Sequence, residues 1–206
     1  MKKNKFTTIA LIVIIIFVLG GLFFLGRNGK GSQLSGSDPM HTPVAGDPGS
    51  LNNLIGKPML DFSLRDRNGT EYSAIGLKGK KIALFFSEGI MCYPACWNQM
   101  VALATDPRFN NADTAVLSVV IDPPSDWQSA IQKMPELGKA TVLFDSDKSV
   151  SQALGMLTLP SSMHYGAFPG HSFILIDKQG IVRDAFDDPT MGIDNDRVFA
   201  ELEKLN

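Results

Sequence analysis

KKIALFFSEGIMCYPACWNQMVALA, residues 80–104, decides the fold. Its first part, KIALFF, is a continuous apolar run rich in strand-type residues, the pattern of a strand buried on both faces. Helical spacing takes over after the loop and puts Trp97, Met100, Val101 and Ala104 on one side of a predicted helix. Between strand and helix lie Cys92 and Cys96, the two cysteines of the chain. Open α/β sheets carry their reactive groups at the carboxyl ends of strands, which is where this loop falls.

Working outward, elements of both kinds alternate. Asn68-Gly69 sits between strand-like segments and predicts an N-terminal β-hairpin. TAVLSVVI (114–121) reads as a second buried strand, ended by Asp122-Pro123-Pro124. Ser125 and Gln128 form a capping-box pattern for a helix running to about Leu137. ATVLFD (140–145) is a third strand and SVSQALGM (149–156) a short helix. HSFILIDKQGIVRDAF (171–186) predicts a hairpin turning near Gln179-Gly180. The last helix has Val198, Leu202 and Leu205 on one face. This order implies a parallel sheet with helices on both faces and an antiparallel edge. Asp145, Asp147, Asp187 and Asp188 read as exposed loop acids, capping groups at most.

Residues 6–26 carry no charge and, at 21 residues, match the ~30 Å core of a bilayer. Lysines at 2, 3 and 5 outnumber the basic residues that closely follow, so a short cytoplasmic N-terminus (1–5) is expected, with the rest of the chain outside the cell membrane. A cleaved signal peptide is the competing reading, but the apolar run is long and no A-x-A site follows it. Residues 27–50, rich in Gly, Ser, Pro and Asp, read as a flexible linker to one folded domain over 51–206. Lys+Arg is 19 against 21 for Asp+Glu, which argues against a nucleic-acid partner.

The cysteine spacing has a geometric meaning. Residues four apart on a helix lie roughly 6 Å apart at Cα, and a disulfide needs roughly 4.4–6.8 Å. Cys92 and Cys96 therefore suit either a disulfide or two thiolates on one metal ion. A helix N-terminus favours a thiolate, so a lowered Cys92 pKa is expected. Pro94 fits the first helical turn. A domain of about 150 residues builds its own core, so the pair is not needed mainly for stability. Glu88 is a candidate proton relay for the second cysteine, and Trp97 a shield for the pair.

DFSLRDRNGTEYSAIGLKGKKIALFFSEGIMCYPAC (61–96), continued by GHSFILIDKQGIVRDAF (170–186), resembles the redoxin superfamily: the AhpC/TSA peroxiredoxin-like proteins and their TlpA-like relatives. The resemblance covers about residues 54–206. It implies a thioredoxin-like fold, a mixed central sheet flanked by helices, and thiol redox chemistry that requires no cofactor. Cys92 and Cys96 would be catalytic, with a protein thiol or disulfide as substrate or reductant. A peroxiredoxin's P-x-x-x-T-x-x-C is absent in either register: Gly89 and Tyr93 stand at the Thr position, Phe85 and Gly89 at the Pro position. The family Arg would fall near Gly170. Slow peroxide turnover is expected.

C-x-x-x-C enclosing a Pro also resembles the Sco copper chaperones. That resemblance implies an alternative: copper held by Cys92, Cys96 and His171 for delivery to a copper-protein partner. His164 is a spare candidate, and Met91 and Met163 could add thioethers. The family's cis-Pro loop is expected at Pro169.

Overall fold

Strand β3 (Lys81–Phe86) is the centre of the molecule because its residues are apolar on both sides and almost wholly buried. The computed structural model describes residues 49–205. The expected N-terminal segment, anchor and nearly all of the linker lie outside the described residues. Among the described residues, no helix is long and apolar enough to cross a membrane.

A short helix α1 (Gly49–Asn52) precedes the hairpin β1 (Ser63–Asp66) and β2 (Glu71–Ser73). Gly69 has φ +80° at the turn, as an Asn-Gly hairpin requires. After β3 come helix α2 (Ala95–Thr105), β4 (Thr114–Val120), α3 (Pro124–Lys133), β5 (Val142–Phe144), α4 (Ser149–Ala153), β6 (Ser172–Ile176), β7 (Val182–Asp187) and α5 (Asn195–Glu203). The sheet order is β2-β1-β5-β4-β3-β6-β7. The expected thioredoxin-like arrangement is present, but the sheet is more mixed than element alternation implied. Only the β3–β4 and β4–β5 pairs are parallel, while β1 joins β5, and β6 joins β3, antiparallel.

Alternation along β3 divides the core in two. Ala83 and Phe85 face α2, α3 and α5, together with Met100, Trp127 and Val198. Ile82, Leu84 and Phe86 face α4 and the N-terminal hairpin, with Leu64, Val150 and Leu154. The register places Phe85 opposite Phe173 of β6, and Phe173 opposite Phe186 of β7. Their ring centroids are 4.8 Å apart at each step, which makes an aromatic floor across three strands.

Four local expectations change. On α2 the buried residues are Cys96, Trp97, Gln99, Met100 and Leu103, while Ala104 is exposed. The inward face is therefore rotated toward the cysteine. The Ser125–Gln128 box does not form: Pro123 is the N-cap of α3, and the Ser125 hydroxyl donates to the Asp126 carboxylate instead. That helix ends at Lys133, and Pro135–Lys139 forms a separate 3₁₀ turn because Pro135 cannot continue the helix. Asp145 is fully buried rather than exposed. Its carboxylate accepts from the backbone N–H groups of Val150 (3.1 Å) and Ser151 (2.7 Å) at the start of α4.

Candidate functional site

The loop leaving β3 is pinned by a glycine. Gly89 has φ +60°, and a Cβ there would lie 1.7 Å from an Asp122 oxygen. The Gly89 carbonyl accepts from Trp97 Nε1 (3.0 Å) and from the Cys92 N–H (3.2 Å). Asp122, at the end of β4, accepts from the Ile90 N–H (3.1 Å). Burial, against that backbone hydrogen bond, raises the Asp122 pKa. Trp97 thus fixes the loop by a hydrogen bond as well as covering it.

Cys92 and Cys96 form a disulfide with Cα atoms 5.4 Å apart, within the range the spacing implied. Their local setting differs from the expected one. Cys92 ends a 3₁₀ turn (Gly89–Met91), and Pro94, at the N-cap of α2 after a cis Tyr93–Pro94 bond, precedes the helix. Cys96, not Cys92, lies in the first turn of α2, and its N–H donates to the Cys92 carbonyl (3.0 Å). Pro169 is buried and its preceding bond is trans, so the cis proline belongs to the cysteine loop itself.

Both sulfurs belong to the apolar cluster on the α2 face. Cys92 nevertheless sits between two exposed side chains, Met91 (53%) and Tyr93 (49%). Tyr93 packs edge-on against Trp97, with the Lys133 ammonium 3.6 Å from its ring centroid. Cys96 instead faces inward. His171 Nδ1 lies 3.6 Å from its Sγ.

His171, the residue before β6, is 1% exposed and rests edge-on against Phe85, centroids 4.7 Å apart. Burial lowers its pKa to about 4, against the opposing Asp188 charge and the nearby Gly192 backbone, so the ring is neutral at neutral pH. The structure therefore brings together Cys92, Cys96, Trp97 and His171. The copper alternative needs two thiolates, whereas here the sulfurs are bonded to each other.

Glu88 is placed differently. Its buried carboxylate accepts from Ser162 Oγ (3.1 Å) and the His164 N–H (2.9 Å), and pairs with His164 Nδ1 (3.0 Å). Among the described residues its hydrogen-bond partners include no cysteine, so it ties the cysteine loop to the loop before β6. Met91 and Met163 are both about half-exposed. Sequence reasoning missed Asp194, and it placed Asp188 only as a surface acid. One ligand atom of each lies within 4.8 Å of the other and of a His171 ring nitrogen. No spacing rule links 171, 188 and 194; only the β6–β7 hairpin and the turn into α5 bring them together.

The likeness to known proteins follows the same region. Residues 55–185 match the model of the AhpC/TSA family. The chain is 29% identical over 125 residues, 59% of its length, to "Peroxiredoxin Q, chloroplastic" of Suaeda salsa. It spans about half the length of the curated relatives it matches, 54% of that one. Among solved structures it resembles Enterococcus faecalis AhpC, with a TM-score of 0.63 and 17% identity, covering 73% of this chain and 91% of that one. It also resembles the peroxidoxin BcpB of Mycobacterium tuberculosis, with a TM-score of 0.59 and 20% identity, covering 74% and 97%. At those identities the structures speak for the fold alone, and the family rests on the sequence match. Its chemistry is that of cysteine sulfur, without a resident cofactor. The chain belongs to the AhpC/TSA family.

Proposed function

We propose that this protein is a membrane-anchored, extracytoplasmic thiol oxidoreductase that cycles Cys92 and Cys96 between dithiol and disulfide. The observation that carries the reading is the asymmetric setting of the pair. Both cysteines are buried (2% and 1% exposed), but Cys92 is flanked by exposed Met91 and Tyr93 while Cys96 packs against His171. A partner disulfide approaching that surface meets Cys92 first. The Cys92 thiolate attacks one partner sulfur, forming a mixed disulfide and releasing the other partner sulfur as thiolate. Cys96 then attacks the Cys92 sulfur, closing the intramolecular disulfide and releasing the second partner thiolate. Two electrons pass to the partner, and an external thiol reductant reopens the pair. His171, neutral at neutral pH, is placed to accept the Cys96 thiol proton as that sulfur becomes the attacking thiolate.

The uncharged stretch 6–26 supports the anchor and the location outside the cytoplasm, where a disulfide persists. Peroxide is a weaker substrate in this reading, because neither cysteine has the Thr and Pro of a peroxide pocket around it. The Cys96–His171 contact also favours a second reading, a Sco-like copper site on the reduced pair with His171 as third ligand.

The test is a trap. Cys96→Ser should accumulate a mixed disulfide through Cys92 that Cys92→Ser cannot form, while peroxide is consumed at the rate of an ordinary thiol. Peroxide consumption far above that rate, with no protein adduct, would replace the exchange reading with a peroxidase. Copper retained by the reduced chain and lost on His171→Ala would favour the chaperone.

A further inference from the structure

The far side of the His171 ring has no role in the chemistry above. Nδ1 faces Cys96, while Nε2 is buried and has no hydrogen-bond partner. A buried imidazole nitrogen left unpaired carries a desolvation cost and calls for a ligand.

Two carboxylates stand in front of it. Asp188 follows β7, and its N–H donates to the His171 carbonyl (2.9 Å), which fixes the two residues side by side. Its carboxylate is held by the Thr190 N–H (2.9 Å), the Thr190 hydroxyl (2.6 Å) and the Gly192 N–H (2.7 Å). Asp194 is more telling. It occupies the N-cap of α5, where an Asp side chain ordinarily accepts from the first turn, yet it makes no cap hydrogen bond. Its N–H is fixed by Gln99 Oε1 (2.7 Å), and its Oδ2 is buried without a partner. One ligand atom from each of His171, Asp188 and Asp194 lies within 4.8 Å of the other two.

We propose that His171 Nε2, Asp188 and Asp194 form a binding site for a divalent cation of the zinc type, back to back with the cysteine pair across the His171 ring. One imidazole nitrogen and two carboxylate oxygens suit zinc, with ligands at about 2.0–2.2 Å and a fourth position left for water. Closing from 4.8 Å to the roughly 3.4 Å between tetrahedral ligands needs only small carboxylate movements. Asp188 and Asp194 are part-exposed, which gives the ion an entry path. A metal on Nε2 leaves the ring proton on Nδ1, so the metal-bound ring donates to a Cys96 thiolate and stabilises it, in place of the proton acceptance open to the metal-free ring. That coupling rests on the redox reading; the binding does not.

The experiment uses the full chain with its disulfide closed, so that no thiolate competes for metal. Zn²⁺ is titrated by calorimetry, and Co²⁺ replaces it as an absorption probe of nitrogen and oxygen ligation. One ion per chain is expected, with affinity falling by about tenfold or more in Asp194→Asn and in His171→Gln. The Cys92→Ser, Cys96→Ser double variant should bind as the oxidised wild type does. Thermal unfolding without metal checks the fold of Asp194→Asn, which replaces a carboxylate whose buried Oδ2 has no hydrogen-bond partner and should be about as stable as wild type. No stoichiometric ion on the oxidised chain, or an affinity indifferent to Asp194→Asn, overturns the site. Binding lost in the double cysteine variant but kept in Asp194→Asn also overturns it, by assigning the ion to sulfur.

Discussion

The two faces of strand β3 are built from neighbouring residues, but only one carries reactive groups. On the side of Ile82, Leu84 and Phe86, the core against α4 and the hairpin is packed from apolar side chains, and the buried Asp145 carboxylate at the start of α4 is held by backbone N–H groups. On the side of Ala83 and Phe85, the same kind of packing takes in Cys92 and Cys96 and leads to His171. The difference comes from the ends of the elements rather than from the strand. α2 begins at the cysteine loop and β6 begins beside His171, so both deliver polar groups to the same edge of one hydrophobic layer. His171, set at the edge of that layer, has its pKa lowered by burial, which outweighs the opposing Asp188 charge.

The largest effect should come from breaking that layer. Phe85→Ala removes the ring that touches both His171 and Phe173, and should cost about 3–5 kcal/mol in denaturant unfolding. Leu84→Ala, on the opposite face, should cost a comparable ~2–5 kcal/mol. Only the first should also change the rate at which the Cys92–Cys96 disulfide is reduced under native conditions. Equal rates in the two variants would mean that the faces differ in composition but not in function.

A somewhat smaller effect should appear in acid. His171 titrates near 6.5 when unfolded and at about 4 when folded, because burial disfavours its charged form. Between those values the unfolded chain holds a proton that the folded chain lacks, so stability falls as pH drops through that window and is unaffected by this group above it. The full effect is about 3 kcal/mol at the acid end. Asp188, Asp194 and Cys96 face the ring, and the burial-raised Asp122 and Asp187 pull in the opposite direction. Unfolding free energies measured from neutral pH to about pH 4 should decline less in His171→Gln than in wild type. Parallel profiles would show that His171 is charged when folded, contrary to its desolvated place on the Phe85 ring.

The sequence was legible wherever a local pattern decides. KIALFF fixed a doubly buried strand, Asn68-Gly69 a hairpin, and the four-residue cysteine spacing a closable disulfide. It was opaque where partners meet across the fold. Glu88 and His164 are 76 residues apart, and Asp194 is 95 residues from Gln99, which anchors its backbone. The cis bond expected at Pro169 lies before Pro94, which the sequence places simply in the first helical turn. The antiparallel β1–β5 pairing has no local signal either, because strand direction depends on how the hairpin returns to the sheet.

The smallest effect tests the quiet face. Asp145 and Asp194 both stand just before a helix. Asp145 is fully buried and satisfied: Oδ1 accepts from Val150 and Ser149, and Oδ2 from Ser151. Asp145→Ala leaves those N–H groups without their acceptor at the start of α4 and should cost about 0.5–2 kcal/mol, the usual range for a lost helix cap. Disulfide reduction should be unchanged, because α4 packs on the face away from Cys92 and Cys96. Asp194→Asn should behave in the opposite way, with little or no loss of stability in the absence of metal, because its carboxylate caps nothing. Denaturant unfolding of the two variants side by side measures the contrast. A cost for Asp194→Asn as large as that for Asp145→Ala would mean that its carboxylate already has a structural partner.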